Sequence, residues 1–280
     1  MQSLDETQNI IQQITHTVLL NVNNNMMWNS SNNEKKLIHY TSALVARNII
    51  EKEQLWLRKT TFMNDYSEIT YGKQCLENIL NDPEITIILK NVLKPFINID
   101  NNLNNLKEIY HLFINDIEKK IYISCLSEHL PEENTIGRLS MWRAYGNSSG
   151  VALVINPRLV QILGPSFITP SVIYSKEKLK ENFIKILKDI DNIIKSNLEK
   201  IPKINESPIK IFHSLFYAMY IYVITLKHQG FWEEREWRII LSLFFQDLIS
   251  TAINSKKIER SIENIKGNPE VIYKLNLKEF

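Results

Sequence analysis

The chain carries seven glycines in 280 residues, and they form no cluster. That scarcity constrains the fold more than any other feature. Doubly wound nucleotide folds hold pyrophosphate on a backbone loop where glycines let the main chain approach the ligand. Neither G-x-G-x-x-G nor G-x-x-x-x-G-K-[S/T] occurs here. A phosphate-bearing ligand would have to be held by side chains and helix ends instead, with Arg238, Thr41 and Ser42 as candidates.

Hydrophobic spacing gives an order of elements. Ser3–Leu20 reads as a helix, with Ser3 and Glu6 at capping-box spacing and Ile10, Ile11, Ile14 and Val18 as one stripe. Residues 21–33 read as an asparagine-rich loop in which Met26, Met27 and Trp28 dock back on the body. Leu37–Tyr40 is a strand, Thr41 or Ser42 caps a helix over Ala43–Lys52, and Leu55-Trp56-Leu57 is a strand closed by the turn Phe62–Asp65. Helices follow over Ser67–Leu80, from Asp82-Pro83, and over Asn101–Lys120, with Leu106, Tyr110 and Phe113 on one face. Ile121–Ser127 alternates as a half-buried strand with Cys125 on its apolar, core-packing face. Arg138–Tyr145 is a short helix stopped at Gly146-Asn147, Gly150–Ile155 a buried strand and Val172–Tyr174 a short one. Lys176–Lys200 and Pro208–His228 are long helices, separated by the loop Ile201–Ser207. Glu236–Phe244 and Val271–Leu277 are the last strands. The class is α+β: a single mixed-sheet domain over 1–280, its core at about 36–280, with an N-terminal helix at 3–20 and helical insertions at about 67–118 and 176–228.

Lys and Arg number 33 against 31 Asp and Glu, so no global charge favours nucleic acid or an anionic membrane. Two cysteines, Cys75 and Cys125, suit a reducing compartment and supply no zinc spacing. The N-terminus lacks a signal-peptide pattern. The most apolar run, Ile211–Leu226, is short and tyrosine-rich, which favours a buried helix over a membrane span. The expectation is a cytoplasmic protein.

Five clusters carry the chemistry. They are His39-Tyr40-Thr41-Ser42; Asn64-Asp65 with Glu68; Cys125-Leu126-Ser127-Glu128; Met141-Trp142 with Tyr145 and Gly150; and Trp232 with Glu234-Arg235-Glu236-Trp237-Arg238. In this order, over residues 36–242, they resemble the bacterial family called domain of unknown function 2971. That family shows a His-Tyr-Thr-like start, an Asn-Asp-x-x-Glu turn, a Cys-x-Ser strand, a Trp-x-x-Tyr-x-x-x-x-Gly element and a Trp-x-Glu-x-Glu-x-Arg end. The resemblance implies lineage and no activity.

The opening Leu-Ile-His-Tyr-Thr-Ser, followed at once by a helix and then Leu-Trp-Leu, also resembles the ADP-ribosyltransferase superfamily. That resemblance implies a split sheet and NAD as substrate. His39 would meet the nicotinamide-side ribose, with Thr41 as a second polar contact. Ser42, Asn64, Ser127, Trp142, Tyr145 and Arg238 would line the NAD site. A late-strand carboxylate, Glu236 before Glu234, would be catalytic together with Tyr40.

Each cluster also has a structural reading. His39 can satisfy local backbone at a helix start. Glu234, Glu236 and Arg238 would share one strand face as an ion-pair ladder, with Trp237 and Ile239 opposite. Alternatively, one carboxylate would stabilise an oxocarbenium-like ribose, with Trp232 and Trp237 walling out water. Asn64-Asp65 is first a turn that could present Glu68, and Trp142 and Tyr145 sit at core spacing on a helix. The expectation is an NAD-consuming transferase acting on a protein or nucleic-acid acceptor. It would be a bacterial toxin or phage-defence effector, with an antitoxin or regulator as partner. Two other classes stand beside it: a non-catalytic ligand-binding or sensor module, and a magnesium nuclease using Glu234, Glu236 and Asp65.

Overall fold

The computed structural model describes residues 2–26, 36–62, 66–94, 114, 119–146, 149–156, 159, 163, 167–197, 199, 208–243 and 246–279. The fold is α+β. Its helices are α1 (Gln2–Met26), α2 (Ala43–Lys52), α3 (Tyr66–Leu80), α4 (Pro83–Leu93), α5 (Lys176–Ser196), α6 (Pro208–Thr225) and α7 (Gln246–Asn254). Its strands are β1 (Lys36–Ser42), β2 (Gln54–Lys59), β3 (Ile121–His129), β4 (Gly150–Ile155), β5 (Phe167–Ile168), β6 (Glu236–Ser242), β7 (Ile258–Ile265) and β8 (Asn268–Asn276). The expected helix over Asn101–Lys120, the loop Ile201–Ser207 and the turn residues Asn64 and Asp65 lie, wholly or mostly, outside the described residues.

The chain divides into two compact units. The first joins Met1–Asn25, Glu68–Ile117 and Ser175–Lys227, so its two later segments coincide with the helical blocks read as insertions. It is helical because its apolar residues recur every three to four positions. In α5, Leu179, Phe183, Ile186, Leu187, Ile190 and Ile194 are all buried, and Ser175 caps the helix by accepting from the Lys178 amide. In α4, Asp82 caps the Glu84 and Ile85 amides, and Pro83 takes the first position. Helix α6 is apolar on every side, and from Ser214 to Thr225 only Tyr217 is more than slightly exposed. Such a helix belongs in a core. Among the described residues no helix is long and apolar enough to cross a membrane.

Helix α1 runs six residues beyond Leu20, through part of the asparagine run expected to be a loop. Val22 extends the Ile14–Val18 stripe and is fully buried. The Asn21 amide nitrogen donates to the Thr17 carbonyl and to Asp189 Oδ2, both at 3.0 Å, so a poor helix former is held in place by its partners.

The second unit joins Met26–Ser67, Glu118–Tyr174 and His228–Phe280 and contains all eight strands found among the described residues. The main path is β4-β1-β3-β2-β8-β7, with β6 on the other edge of β3 and β5 beyond it. Among the described residues every pairing between strands is antiparallel. Strand β3 is therefore central, and Ile121, Tyr122, Ile123 and Ser124 are buried on both faces rather than one. Among the described residues strand β4 pairs with β1 alone and is mostly part-buried, with Val154 at 63%, so the expected buried strand is an edge. Strand β5 at Phe167–Ile168, helix α7 and strand β7 lack a sequence reading of their own. Strand β7 is an edge with few buried residues. In place of the expected strand Val172–Tyr174 there are isolated bridge residues, Ile173 within it and Pro170 and Ser171 before it, with Ser171 paired to Trp237.

One glycine in the first unit is required by close approach. A Cβ on Gly72 of α3 would lie 2.2 Å from the Val223 carbonyl oxygen of α6, a contact with backbone that cannot swing aside. Gly72→Ala should therefore destabilise the protein by about 1–3 kcal/mol, the usual cost of overpacking, despite alanine's better helix propensity. Urea denaturation followed by circular dichroism checks this; an unchanged or raised midpoint would refute the packing account.

Candidate active site in the split of the sheet

Strands β1 and β2 both claim the same edge of β3. β1 pairs over Lys36–Ile38 with His129–Ser127, and β2 pairs over Arg58–Lys59 with Ile123–Tyr122. Each then leaves that edge, β1 toward β4 and β2 toward β8. Ser124–Leu126 lie where the sheet opens. The opening is a cavity of about 630 Å³, within the range of roughly 300–1,000 Å³ typical of small-molecule sites. Its walls come from β1, α2, β2, β3 and the β7–β8 hairpin, all in the second unit.

The cavity gathers residues from distant parts of the chain. His39, Tyr40, Thr41, Ser127, Tyr145, Glu234 and Glu236 all line it. His39 Nδ1 bonds the Cys125 carbonyl at 3.0 Å. A carbonyl only accepts, so Nδ1 carries the proton and Nε2 is left as an acceptor. Burial lowers the imidazole pKa, partly offset by the Cys125 bond, and the ring stays neutral at pH 7. Cys125, expected in the core, is half-buried and lines the cavity, because the sheet opens beside it.

Three expected site residues are placed elsewhere. Ser42 caps α2 by accepting from the Val45 amide. Arg238 is 1% exposed and pairs with Glu236 at 2.6 Å, so it is a buried counter-ion and does not line the cavity. Asn64 lies outside the described residues. Trp142 stands behind the cavity wall. Its indole Nε1 donates to the Ile136 carbonyl at 2.7 Å, and its ring meets Tyr40 edge-on at 4.9 Å. Three of the chain's seven glycines surround it: a Cβ on Gly137 or Gly150 would lie within 3.0 Å of the indole, and one on Gly146 at 3.5 Å. The Trp-x-x-Tyr-x-x-x-x-Gly element is thus one packing unit that supports Tyr40 and Tyr145. The short helix expected there is an α-turn, Leu139–Met141, running into a π-turn, Trp142–Gly146. The wider π-turn separates Trp142 from Tyr145, which faces the cavity.

The late motif also departs from a continuous strand. β6 begins at Glu236, and Arg235 adopts the left-handed conformation at φ 42°. Glu234 therefore ends a 3-10 turn instead of sharing a pleat with Glu236, yet both residues line the cavity. Trp237 and Ile239 face the hydrophobic core, and the Trp237 indole donates to Glu128 Oε2 at 3.2 Å. Trp232 is 55% exposed, and neither tryptophan lines the cavity. Glu68 pairs with Lys227 at 2.7 Å inside the first unit. Among the described residues no group of three or more His, Cys, Asp or Glu could hold a metal ion, and Asp65 lies outside them.

Two arginines escaped the sequence reading. Arg58 on β2 forms a two-pronged pair with Glu270 on β8, with contacts of 2.8–3.1 Å, and both line the cavity. Arg138, 9% exposed, grips Glu133 through Nε at 2.7 Å and Nη2 at 2.9 Å. The same guanidinium donates to Ser127 Oγ and to the carbonyls of Glu128, Glu233 and Glu234. Its backbone amide donates to the Tyr40 hydroxyl at 3.2 Å. Burial raises the Tyr40 pKa, so that hydroxyl stays protonated. A lone arginine, whether on a strand like Arg58 or just ahead of a helical turn like Arg138, has no spacing signature, which is why neither was legible.

A family model described as "Protein of unknown function (DUF2971)" matches residues 141–239. The match takes in the Trp142–Gly150 element and the Glu234–Arg238 motif, and leaves His39 and Cys125 outside. It is narrower than the resemblance over 36–242. No curated protein and no solved structure matches the chain.

Burial alone would raise the Glu133 pKa, but the bonds from Arg138 and the Leu130 amide and the charges of Arg138 and Arg235 outweigh it, leaving the carboxyl depressed. A depressed carboxyl contributes stability that is present above its unfolded pKa and lost as pH falls through its folded one. Acidification below the ordinary carboxylate range should therefore destabilise the wild type more than Glu133→Gln. At neutral pH Glu133→Ala, which leaves Arg138 buried and unpaired, should cost about 3–5 kcal/mol. Denaturation curves across pH check both; parallel pH profiles for wild type and Glu133→Gln would contradict the assignment.

Proposed function

We propose that the cleft in the sheet binds NAD and that the protein is an ADP-ribosyltransferase-like enzyme. The observation that supports this most is the convergence of His39 with Glu234 and Glu236, far apart in sequence, in one cavity between diverging strands. No glycine loop serves that cavity. A neutral His39 that lines the cavity, with Nε2 as its acceptor nitrogen, suits a ribose hydroxyl donor. The Tyr145 ring, 39% exposed at the cavity wall, offers a flat apolar surface to nicotinamide.

The chemistry needs no redox partner. The bond from ribose C1′ to the nicotinamide nitrogen breaks, and its electron pair leaves on neutral nicotinamide. Positive charge develops on C1′ and its ring oxygen, and a nearby carboxylate stabilises it. A lone pair on a protein or nucleic-acid acceptor then bonds to C1′, and the acceptor's proton passes to solvent. In this reading the protein works in the cytoplasm of a bacterium, as a toxin or phage-defence effector restrained by an antitoxin or regulator.

Calorimetry should detect NAD, and His39→Ala should weaken it by about tenfold, the worth of one hydrogen bond of about 1.4 kcal/mol. Incubation with labelled NAD and a cell lysate should place label on protein or nucleic acid. If no adenine or nicotinamide compound binds at millimolar concentration, the reading falls and a binding module for another ligand takes its place.

A further inference from the structure

We infer that Glu234, and not Glu236, is the carboxylate that meets the ligand, and that Arg138 is the residue that positions it. The inference rests on the NAD reading for its chemistry, but its geometry stands apart from that reading.

The two carboxylates differ in their surroundings. Glu236 is 4% exposed at the side chain and lies 2.6 Å from the guanidinium of Arg238, itself 1% exposed. Both sit on one face of β6, two residues apart. A charge compensated this closely in a dry setting has little left to offer a cation forming nearby, and moving it would strand Arg238. Its main-chain amide is held as well, donating to the Tyr174 hydroxyl at 2.9 Å. Glu236 is thus part of the sheet's internal ion pairing.

Glu234 is half-exposed at the cavity and stands off the strand. The left-handed Arg235 turns the chain there, so the carboxylate is presented from a 3-10 turn instead of a pleat. Its Oε2 lies 3.4 Å from the Tyr145 hydroxyl, which places it beside the aromatic wall.

A turn is a poor platform unless something fixes it, and Arg138 does so. Nη1 donates to the Glu233 carbonyl at 2.6 Å and to the Glu234 carbonyl at 3.1 Å. Nη1 also donates to Ser127 Oγ at 2.8 Å, and that hydroxyl donates in turn to the Glu234 carbonyl at 2.6 Å. The turn is thereby tied to the end of β3. The fork toward Glu133 holds the guanidinium plane, with both prongs made. Only a planar, multi-donor cation serves these acceptors together; an ammonium at the same place would serve two or three. Tyr40, bonded to the Arg138 amide, ties the same residue to β1 and so to His39. Arg138 thus joins the strand that carries the imidazole to the turn that carries the carboxylate.

The test uses Glu234→Gln, Glu236→Gln and Arg138→Lys in the full chain. Three readouts are taken: NAD turnover with kcat and KM separated, thermal melting, and hydrogen exchange at the amides of residues 233–236. Glu234→Gln should lower kcat by about a hundredfold, with NAD affinity and melting close to wild type. Glu236→Gln should show its effect first as a lower melting temperature. Arg138→Lys should lower kcat at least tenfold with KM little changed, and should speed exchange at the turn while the rest of the second unit stays protected. An active Glu234→Gln beside a folded, inactive Glu236→Gln would overturn the choice of carboxylate. Wild-type exchange at the turn in Arg138→Lys would overturn the positioning role, and it would do so even if the wild type proved not to cleave NAD. Loss of NAD binding and turnover in the wild type itself overturns the choice of carboxylate together with the function it serves, and leaves the turn's protection as the measure of Arg138.

Discussion

One edge of β3 has two claimants, and the rest of the second unit is arranged around that conflict. Backbone amides and carbonyls are obligatory hydrogen-bonding groups, so a strand edge cannot simply be left open in the interior. β1 takes one end of the edge and β2 the other. Between them the sheet must part, and a side chain takes over where the strands leave. His39 does this at the Cys125 carbonyl. The cavity and the imidazole that faces it thus have one cause. The bond that satisfies the edge also fixes the tautomer offered to a ligand.

A second constraint is charge. The cavity end of β6 brings Glu133, Glu234 and Glu236 together with Arg138, Arg235 and Arg238. Like charges this near would repel if left alone. Glu236 and Glu133 are each held by a buried arginine, with Arg235 also 3.4 Å from Glu133, while Glu234 stands in the 3-10 turn ahead of the left-handed Arg235 and lines the cavity. Buried pairs of this kind add little net stability over an apolar core, but breaking one side is costly. They are better understood as devices that hold one geometry among several.

Much of this fold could be read from spacing. The start of α2 was legible from the cap at Thr41 or Ser42, and that of α4 from Asp82-Pro83, because caps act locally. The centrality of β3 was hidden, since alternation in Ile121–Ser127 looks the same whether the polar face meets water or a second wall. The β7–β8 hairpin was half visible: β7 alternates weakly because it is an edge, and its two-residue turn uses Lys266 at φ 52° ahead of Gly267 at φ 88°. For the cavity, residue types were legible where they cluster in sequence, as in His39-Tyr40-Thr41 and Glu234–Arg238. Side-chain direction was not. Whether Arg238 or Trp142 faces a ligand depends on pleat phase, on a π-turn and on three glycines packed against an indole, and none of these leaves a local pattern.

The division between fixed and presented groups follows from the same physics. Trp142, Arg138 and Arg238 are saturated with partners or enclosed by glycine, and each one immobilises a neighbour that faces the cavity. Tyr145, His39 and Glu234 each retain exposed surface there and each hangs from one of those anchors or from the open edge of β3. A site built on loops alone would lose precision to thermal motion, whereas a fully buried one could admit nothing. Setting the anchors one layer behind the cavity wall lets this chain do without a glycine cradle: rigidity comes from saturated arginines and a caged indole, and the groups in front of them stay accessible.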